Sequence, residues 1–255
     1  MMPLSEPWQD FWHQSRSRFC TYLAAGSSKL RQFLDRRGLQ LETWQQWGFG
    51  LGPQTMLPNL HSEGRMLAER LIIPIRDVSG QLVGLAGRAL DESEPKFWHL
   101  PFDKRFVLWG LCENGNALLN NLHRPHTFGR CPIILVESYF DVLALADAGA
   151  PFGVAMMGSV LHKEQAALLV RYADRVVYIA HNDKLDIDSV RKVVDPLEAV
   201  GIAASCVACL AHKDFADYYA AEQVESVRWL TQQLALARFE YSPAQLLESQ
   251  LGRKT

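Results

Sequence analysis

The sequence predicts a mixed fold of the α/β class, in which helices flank a parallel sheet and a smaller helical and β region comes first. Short apolar runs rich in β-branched residues, at Ile133–Val136 and Arg175–Ala180, indicate strands buried on both faces, which is typical of parallel sheets. Each run is followed by acidic residues, and α/β folds bind their ligands at the carboxyl ends of the strands. The length of 255 residues allows one large domain or two smaller ones.

The composition excludes several classes of protein. Lys and Arg total 26 and Asp and Glu total 28, so no global basic field indicates a nucleic-acid partner, although a local basic patch can still bind one. The N-terminus lacks a secretory signal pattern and no apolar run approaches a membrane span, so we expect a cytoplasmic protein. Five scattered cysteines argue against a disulfide framework, and we expect Cys206 and Cys209, despite their metal-ligand spacing, to be core residues.

The first part of the chain is predicted to be helical. Aromatic residues at near-helical spacing predict a helix over 8–23, with core packing as its favoured role and base stacking as the minority alternative. Two shorter helices are predicted over 27–38 and 41–47, and the first of them ends at Gly38. The glycines that follow predict a strand-like exit from this helical region.

A β-hairpin is predicted next. Leu71–Arg76 and Leu82–Arg88 are its strands and residues 77–80 form its turn, while Pro74 confines the first strand to a sheet edge or a bulge. Basic residues accumulate here and in the following loop, namely Arg70, Arg76, Arg88, Lys96, Lys104 and Arg105. Taken alone, they favour scattered surface charge. Because side chains alternate along strands and can converge on one face, a phosphate-binding groove stays open as the alternative.

Acidic residues at the ends of three predicted strands form the candidate functional site. They are Glu137 and Asp141 after the first strand, Asp183 after the second, and Asp214 and Asp217 after the third, which is predicted over 202–210. For the first pair alone, a cation site and the capping of a helix over 141–148 are equally favoured. Acidic residues after all three strands are harder to explain by chance than the first pair alone. Together they favour a cation site.

Six segments of the chain form a recognisable series: 68–88, a strand–turn–strand; Pro95-Lys96-Phe97; 102–111, a Lys-bearing loop that ends in Trp-Gly-Leu; Glu137-Ser-Tyr-Phe-Asp141; 158–165; and Lys213-Asp214-Phe-Ala-Asp217. In this order they resemble the RNA polymerase core of bacterial DnaG-type primases, in a divergent form like those of phages and mobile elements. The resemblance extends from about residue 28 to 219. It implies a helical and β subdomain over 1–128 and a Toprim domain over 129–220. The amphipathic pattern of the tail predicts C-terminal helices over 221–255, interrupted at Pro243.

This resemblance also implies an activity. DnaG-type primases are nucleotidyltransferases that make short RNA primers on single-stranded DNA from ribonucleoside triphosphates, with Mg²⁺ or Mn²⁺ as cofactor. The implied catalytic residues are Glu137, Asp183 and Asp214, and the implied metal ligands are Glu137, Asp141, His181, Asp183, Asp214 and Asp217. The resemblance implies that Arg88, Lys96 and Lys104 bind nucleic acid or nucleotides, and we add Arg70 from the same basic stretch. No N-terminal Cys/His cluster has zinc-binding spacing, so we expect no zinc site within this chain and a zinc-binding or helicase partner supplied separately.

Two departures from the family pattern concern the site. The family has Asp-Gly-Asp at the second strand end, whereas this chain has His-Asn-Asp at 181–183, and Ser138 replaces a glycine. Either His181 supplies a nitrogen ligand, which suits Mn²⁺ better than Mg²⁺, or one metal site is weakened, with Asp186 or Asp188 as substitutes. The departures motivate an alternative function, that of a catalytically decayed Toprim-fold accessory or binding module in the replication of a mobile element.

Overall fold

The computed structural model describes residues 2–24, 29–54, 60, 64–122, 132–209 and 211–237. The chain divides into two compact units, Met1–Asp103 and Lys104–Thr255. The domain boundary predicted at 128/129 and the interruption predicted at Pro243 lie outside the described residues, so the three-part division stays a prediction.

The first unit begins with three helices, α1 (Glu6–Ala24), α2 (Lys29–Arg37) and α3 (Leu41–Gln46), as the sequence predicts. Phe11 and Phe19 of α1 are completely buried, which confirms core packing as the role of these aromatic side chains. The chain leaves α2 through Gly38, whose φ of +64° lies in the left-handed region that glycine adopts without strain.

An antiparallel sheet completes the first unit. Its strands are β1 (Gly50–Leu51), β2 (Leu71–Arg76), β3 (Leu82–Arg88) and β4 (Phe97–His99), which lie side by side in chain order. The predicted hairpin is therefore confirmed. The two residues of β1 pair with Leu71 and Ile72, so this pairing stops before Pro74, which lies beside a register shift between Ile75 and Arg76. Both features agree with the position predicted for this proline.

The second unit contains the predicted parallel sheet. Its strands are β5 (Ile133–Val136), β6 (Gly153–Ala155), β7 (Arg175–Ala180) and β8 (Ala203–Ala208), in the order β6-β5-β7-β8 with every pair parallel. The sequence predicts β5, β7 and β8, although residue 210, the predicted end of the third, lies outside the described residues. It does not predict β6, because three residues are too few for a periodic signal.

Helices cover this sheet. They are α4 (Gly115–Leu122), α5 (Tyr139–Asp147), α6 (Lys163–Leu169), α7 (Ile187–Ala199), α8 (Phe215–Ala221) and α9 (Gln223–Leu236). Leu135 of β5 and Val176 of β7 pack in one hydrophobic core with Val193 and Leu197 of α7. Burial of this core on the helix-covered sheet fixes the register of the strands, and with it the place where each strand ends.

Within the part of the chain that the structure describes, no helix has both the length and the apolar character that crossing a membrane requires.

Candidate metal centre

Three neighbouring strands of the parallel sheet bring a buried cluster together where they end. Asp141, His181 and Asp214 each offer one ligand atom, and these three atoms lie within 4.8 Å of one another. Asp141 belongs to the first turn of α5 after β5, His181 directly follows β7, and Asp214 is the N-cap of α8 after β8. Parallel strands point their carboxyl ends the same way, which is why residues 33 to 73 positions apart along the chain meet here.

Asp141 is held rigidly at the centre of this cluster. Its side chain is almost completely buried, and its Oδ1 accepts a hydrogen bond from the backbone N–H of Ala216 at 3.0 Å. Its Oδ2 accepts one from Ser138 Oγ at 2.7 Å and lies 3.2 Å from His181 Nε2. Burial disfavours the charged carboxylate, but the hydrogen bond and charge of His181, together with Ser138 and Ala216, outweigh it and lower the pKa of Asp141.

The imidazole of His181 lies among three acids. Its Nε2 is 3.2 Å from Asp141 Oδ2 and 4.0 Å from Asp214 Oδ2, and its Nδ1 is 3.9 Å from Glu137 Oε2. Burial alone would lower the pKa of this ring. The hydrogen bond to Asp141 and the charges of all three acids overcome that effect and raise the pKa of His181 to about 9. Without a bound cation, the ring is therefore an imidazolium at neutral pH.

The pKa of Asp214 is shifted in the opposite direction to that of Asp141. Its Oδ1 accepts a hydrogen bond from the backbone N–H of Asp217 at 2.8 Å, which caps α8. Burial, followed by the charge of Asp141, raises the pKa of Asp214 to about 6, although the backbone of Asp217 and the charge of His181 oppose the shift. Two buried carboxylates that repel each other, with an imidazole between them, form a donor set that fits a divalent cation.

Glu137 lies at the far side of the His181 ring from the two aspartates. Its Oε1 accepts hydrogen bonds from the Tyr178 hydroxyl at 2.9 Å and from the backbone N–H of His181 at 3.4 Å. Burial and the charge of Glu137 raise the pKa of Tyr178 well above its usual range, so this hydroxyl stays a neutral donor. Sequence reasoning missed Tyr178, although a tyrosine in an otherwise apolar strand needs a partner for its hydroxyl and is a usable signal.

The structure does not bring every predicted ligand into the cluster. Asp183 lies in a short 3₁₀ turn, Asn182–Lys184, which places it at the surface with its Oδ2 3.6 Å from Lys213 Nζ. Asp217 is also exposed and contributes its backbone N–H to Asp214. Asp186 caps α7 by accepting from the backbone N–H of Ser189 at 2.7 Å. The predicted metal-binding roles of Asp183 and Asp217 stay predictions.

Of the four predicted nucleic-acid and nucleotide-binding residues, two are engaged with the backbone of the first unit. Arg70 is buried and donates to Pro95 O at 2.6 Å. Arg88 is buried as well and donates to Ala89 O at 2.6 Å and Lys96 O at 3.4 Å. Burial, together with the charge of Arg37, lowers the pKa of Arg88 to about 10. Lys96, by contrast, is exposed.

Lys104, the fourth of these residues, belongs to the second unit and is exposed, and Gln165 holds the turn that carries it. The side-chain amide of Gln165, which is completely buried, donates to Val107 O at 2.8 Å, Lys104 O at 3.1 Å and Met156 O at 3.2 Å. The Lys104 ammonium lies over Gly158, where an added Cβ would be 3.3 Å from Nζ. Sequence reasoning quoted the segment 158–165 without assigning a role to Gln165. A buried amide at a helix start was its only signal.

Comparisons with known proteins agree with this architecture. Residues 134–219 match the Toprim-like family model. Over 178 residues the chain is 33% identical to a DNA primase of Neisseria meningitidis, an alignment that covers 60% of this chain and 29% of that primase. The chain thus spans just under a third of that curated relative.

Solved structures extend the likeness to most of the chain. The Escherichia coli primase catalytic core matches with a TM-score of 0.72 at 22% identity, over 89% of this chain and 79% of that one. A DnaG primase catalytic domain bound to single-stranded DNA matches with a TM-score of 0.66 at 22% identity, again over 89% and 79%. The predicted Toprim-type fold and the predicted resemblance to DnaG-type primases are both confirmed.

Proposed function

We propose that this chain is the catalytic core of a primase-like nucleotidyltransferase, which joins ribonucleotides into short RNA primers on a single-stranded DNA template. The observation that carries the proposal is the meeting of Glu137, Asp141, His181 and Asp214 at the carboxyl edge of a sheet with the DnaG-core fold. The sequence relatives named as DNA primases support it. They do not favour the alternative of a decayed accessory module.

The cofactor we assign to the site is a divalent cation, Mg²⁺ or Mn²⁺. Asp141 and Asp214 would hold it through carboxylate oxygens, and His181 through a ring nitrogen. When bound, such an ion supplies positive charge that activates the attacking 3′-hydroxyl and neutralises the leaving pyrophosphate. Glu137 would keep the ring of His181 in place, because it accepts the hydrogen bond of the His181 backbone and faces Nδ1.

For the phosphates of template and nucleotide, we assign the exposed amines of Lys96 and Lys104. Arg70 and Arg88 would act through Lys96, because their guanidinium groups donate to the carbonyls of Pro95 and Lys96 and so fix the backbone of this segment. The solved catalytic domain that is described as bound to single-stranded DNA supports a DNA template. A zinc-binding domain and a helicase are proposed as separate partners.

A primer-synthesis assay tests the proposal. The chain is incubated with single-stranded DNA, labelled ribonucleotides and either Mg²⁺ or Mn²⁺, with and without a separately supplied zinc-binding domain, and the products are separated on a denaturing gel. We expect short RNA that disappears in Asp214→Asn and persists in Glu198→Gln, a matched change of an exposed acid in α7. Absence of product under all four conditions, or full synthesis by Asp214→Asn, would overturn the proposal.

A further inference from the structure

We infer that His181 makes this centre selective for a divalent transition-metal ion such as Mn²⁺ or Co²⁺ over Mg²⁺. The inference deepens the proposed function, since it concerns the ion that the same site would use. It starts from the donor atoms. The cluster offers two carboxylates and one imidazole nitrogen within 4.8 Å of one another. Imidazole is a ligand that first-row transition metals accept readily, whereas Mg²⁺ is a hard ion that takes oxygen ligands and retains waters.

The orientation of the ring supports metal ligation. Nε2 is the ring atom that faces both aspartates, at 3.2 Å from Asp141 Oδ2 and 4.0 Å from Asp214 Oδ2. Nδ1 points to the other side, where Glu137 Oε2 lies 3.9 Å away. This distance is too long for a hydrogen bond, but it places a carboxylate on the side of the ring where histidine ligands in metal sites have their acceptor. Glu137 is itself fixed there by the hydroxyl of Tyr178.

His181 is also poorly placed to leave the cluster. Its side chain is 14% exposed, and it directly follows β7, a strand of the sheet core. Its backbone N–H donates to Glu137 Oε1, and the N–H of the next residue, Asn182, donates to Lys213 O at 2.8 Å. Because the backbone is held on both sides, an ion that avoids nitrogen has to bind beside this ring rather than replace it.

Mg²⁺ finds few oxygens among the residues that the structure describes here. The cluster supplies the carboxylates of Asp141 and Asp214, and both oxygens of Asp141 already accept hydrogen bonds from Ala216 and Ser138. Asp183, which would be a further oxygen donor, lies at the surface beside Lys213. Two carboxylates and an imidazole form a complete protein ligand set for Mn²⁺ or Co²⁺. Mg²⁺, which takes oxygen ligands and waters, would use only the two carboxylates and gain nothing from the imidazole.

Binding of metal alone tests the inference. The full chain is stripped with a chelator, and Mg²⁺ and Mn²⁺ are titrated separately by calorimetry at one pH, without DNA or nucleotides. We expect Mn²⁺ to bind at least about tenfold more tightly than Mg²⁺. In His181→Asp, which offers only oxygens, that ratio should fall because Mg²⁺ binds more tightly. His212→Gln, a change of a histidine that pairs with Glu222 instead, should leave both affinities unchanged.

Pulsed electron paramagnetic resonance of the Mn²⁺-loaded chain gives a direct readout. We expect nitrogen-14 modulation from a coordinated imidazole in the wild type and in His212→Gln, and its loss in His181→Gln, which serves also if His181→Asp does not fold. Equal affinity for the two ions, no binding of either, or a Mn²⁺ spectrum without nitrogen coupling would overturn the inference. Primer synthesis is not measured here, so failure of the proposed activity and failure of the selectivity are distinguishable.

Discussion

Raising the pH should destabilise the metal-free protein through His181. The pKa of this ring is about 9 in the folded chain, against an ordinary value of 6.5 that applies when the chain is unfolded. The folded state therefore holds the proton more tightly than the unfolded state. The resulting stability is fully present below pH 6.5 and is lost as the pH rises through 9. The difference between the two values corresponds to about 3 kcal/mol at most, since ten-fold in proton affinity is about 1.4 kcal/mol.

Neither neighbouring aspartate has its pKa inside this window. The pKa of Asp214, raised to about 6 by burial and by Asp141, places its ionisation at or below the lower end of the range. The pKa of Asp141 is lowered, so this group stays ionised throughout. A decline in the free energy of unfolding between pH 6.5 and 9 that depends on residue 181 therefore reports the deprotonation of His181, whose charge is stabilised by three acids.

Equilibrium unfolding in urea, followed by circular dichroism in the presence of a chelator, measures the effect. The wild type should lose roughly 2 to 3 kcal/mol of unfolding free energy between pH 6.5 and 9 beyond whatever His181→Gln loses. Glutamine keeps a hydrogen-bond donor for Asp141 but does not titrate, so it is the matched control. Parallel curves for the two proteins would refute the reasoning, because they would show that the ring carries no proton that folding stabilises.

Three further changes test packing and capping, each by urea unfolding. Ser138→Ala should destabilise by about 1 kcal/mol, because Ser138 Oγ caps α5 and also donates to the Asp141 carboxylate; an unchanged midpoint would argue against that cap. Gly153→Ala should destabilise by about 1 to 3 kcal/mol, because the added Cβ would lie 2.8 Å from Leu145 Cδ1. An unchanged midpoint would mean that α5 moves away from this strand without cost. Ile134→Ala should destabilise by about 2 to 5 kcal/mol, because this side chain is completely buried. Val170→Ala is its control: this side chain is 53% exposed, so stability should change by less than about 0.5 kcal/mol. Similar effects at both positions would contradict the assigned core.

The sheet was predictable from the sequence where single elements carry a strong local pattern. Short apolar runs rich in β-branched residues predicted β5 and β7, and two apolar runs on either side of a polar turn predicted the hairpin of β2 and β3. The three-residue strand β6 has no pattern of its own. It exists because the neighbouring strand β5 pairs with it, which is tertiary information.

Side-chain direction was much less predictable than the position of the site. The sequence placed acids at three strand ends, but it did not distinguish Asp214, which turns inward as a helix cap, from Asp183, which a 3₁₀ turn carries to the surface. Likewise, Arg70 and Arg88 belong to a basic stretch, yet both fold back onto backbone carbonyls. Such choices depend on the hydrogen bonds that each loop makes after folding, and no residue spacing encodes them.

The hydrogen bond from the Ala216 backbone to Asp141 Oδ1 ties α8 to α5 across 75 positions of the chain. The same carboxylate would hold the ion, so Asp141 would both bind metal and join the two helices. A descendant without the proposed activity would still gain from an acceptor oxygen at this position, because that oxygen keeps the two helices joined. Retention of Asp141 alone is therefore poor evidence of a working enzyme, and an inactivating change at Asp214 is easier to interpret than one at Asp141.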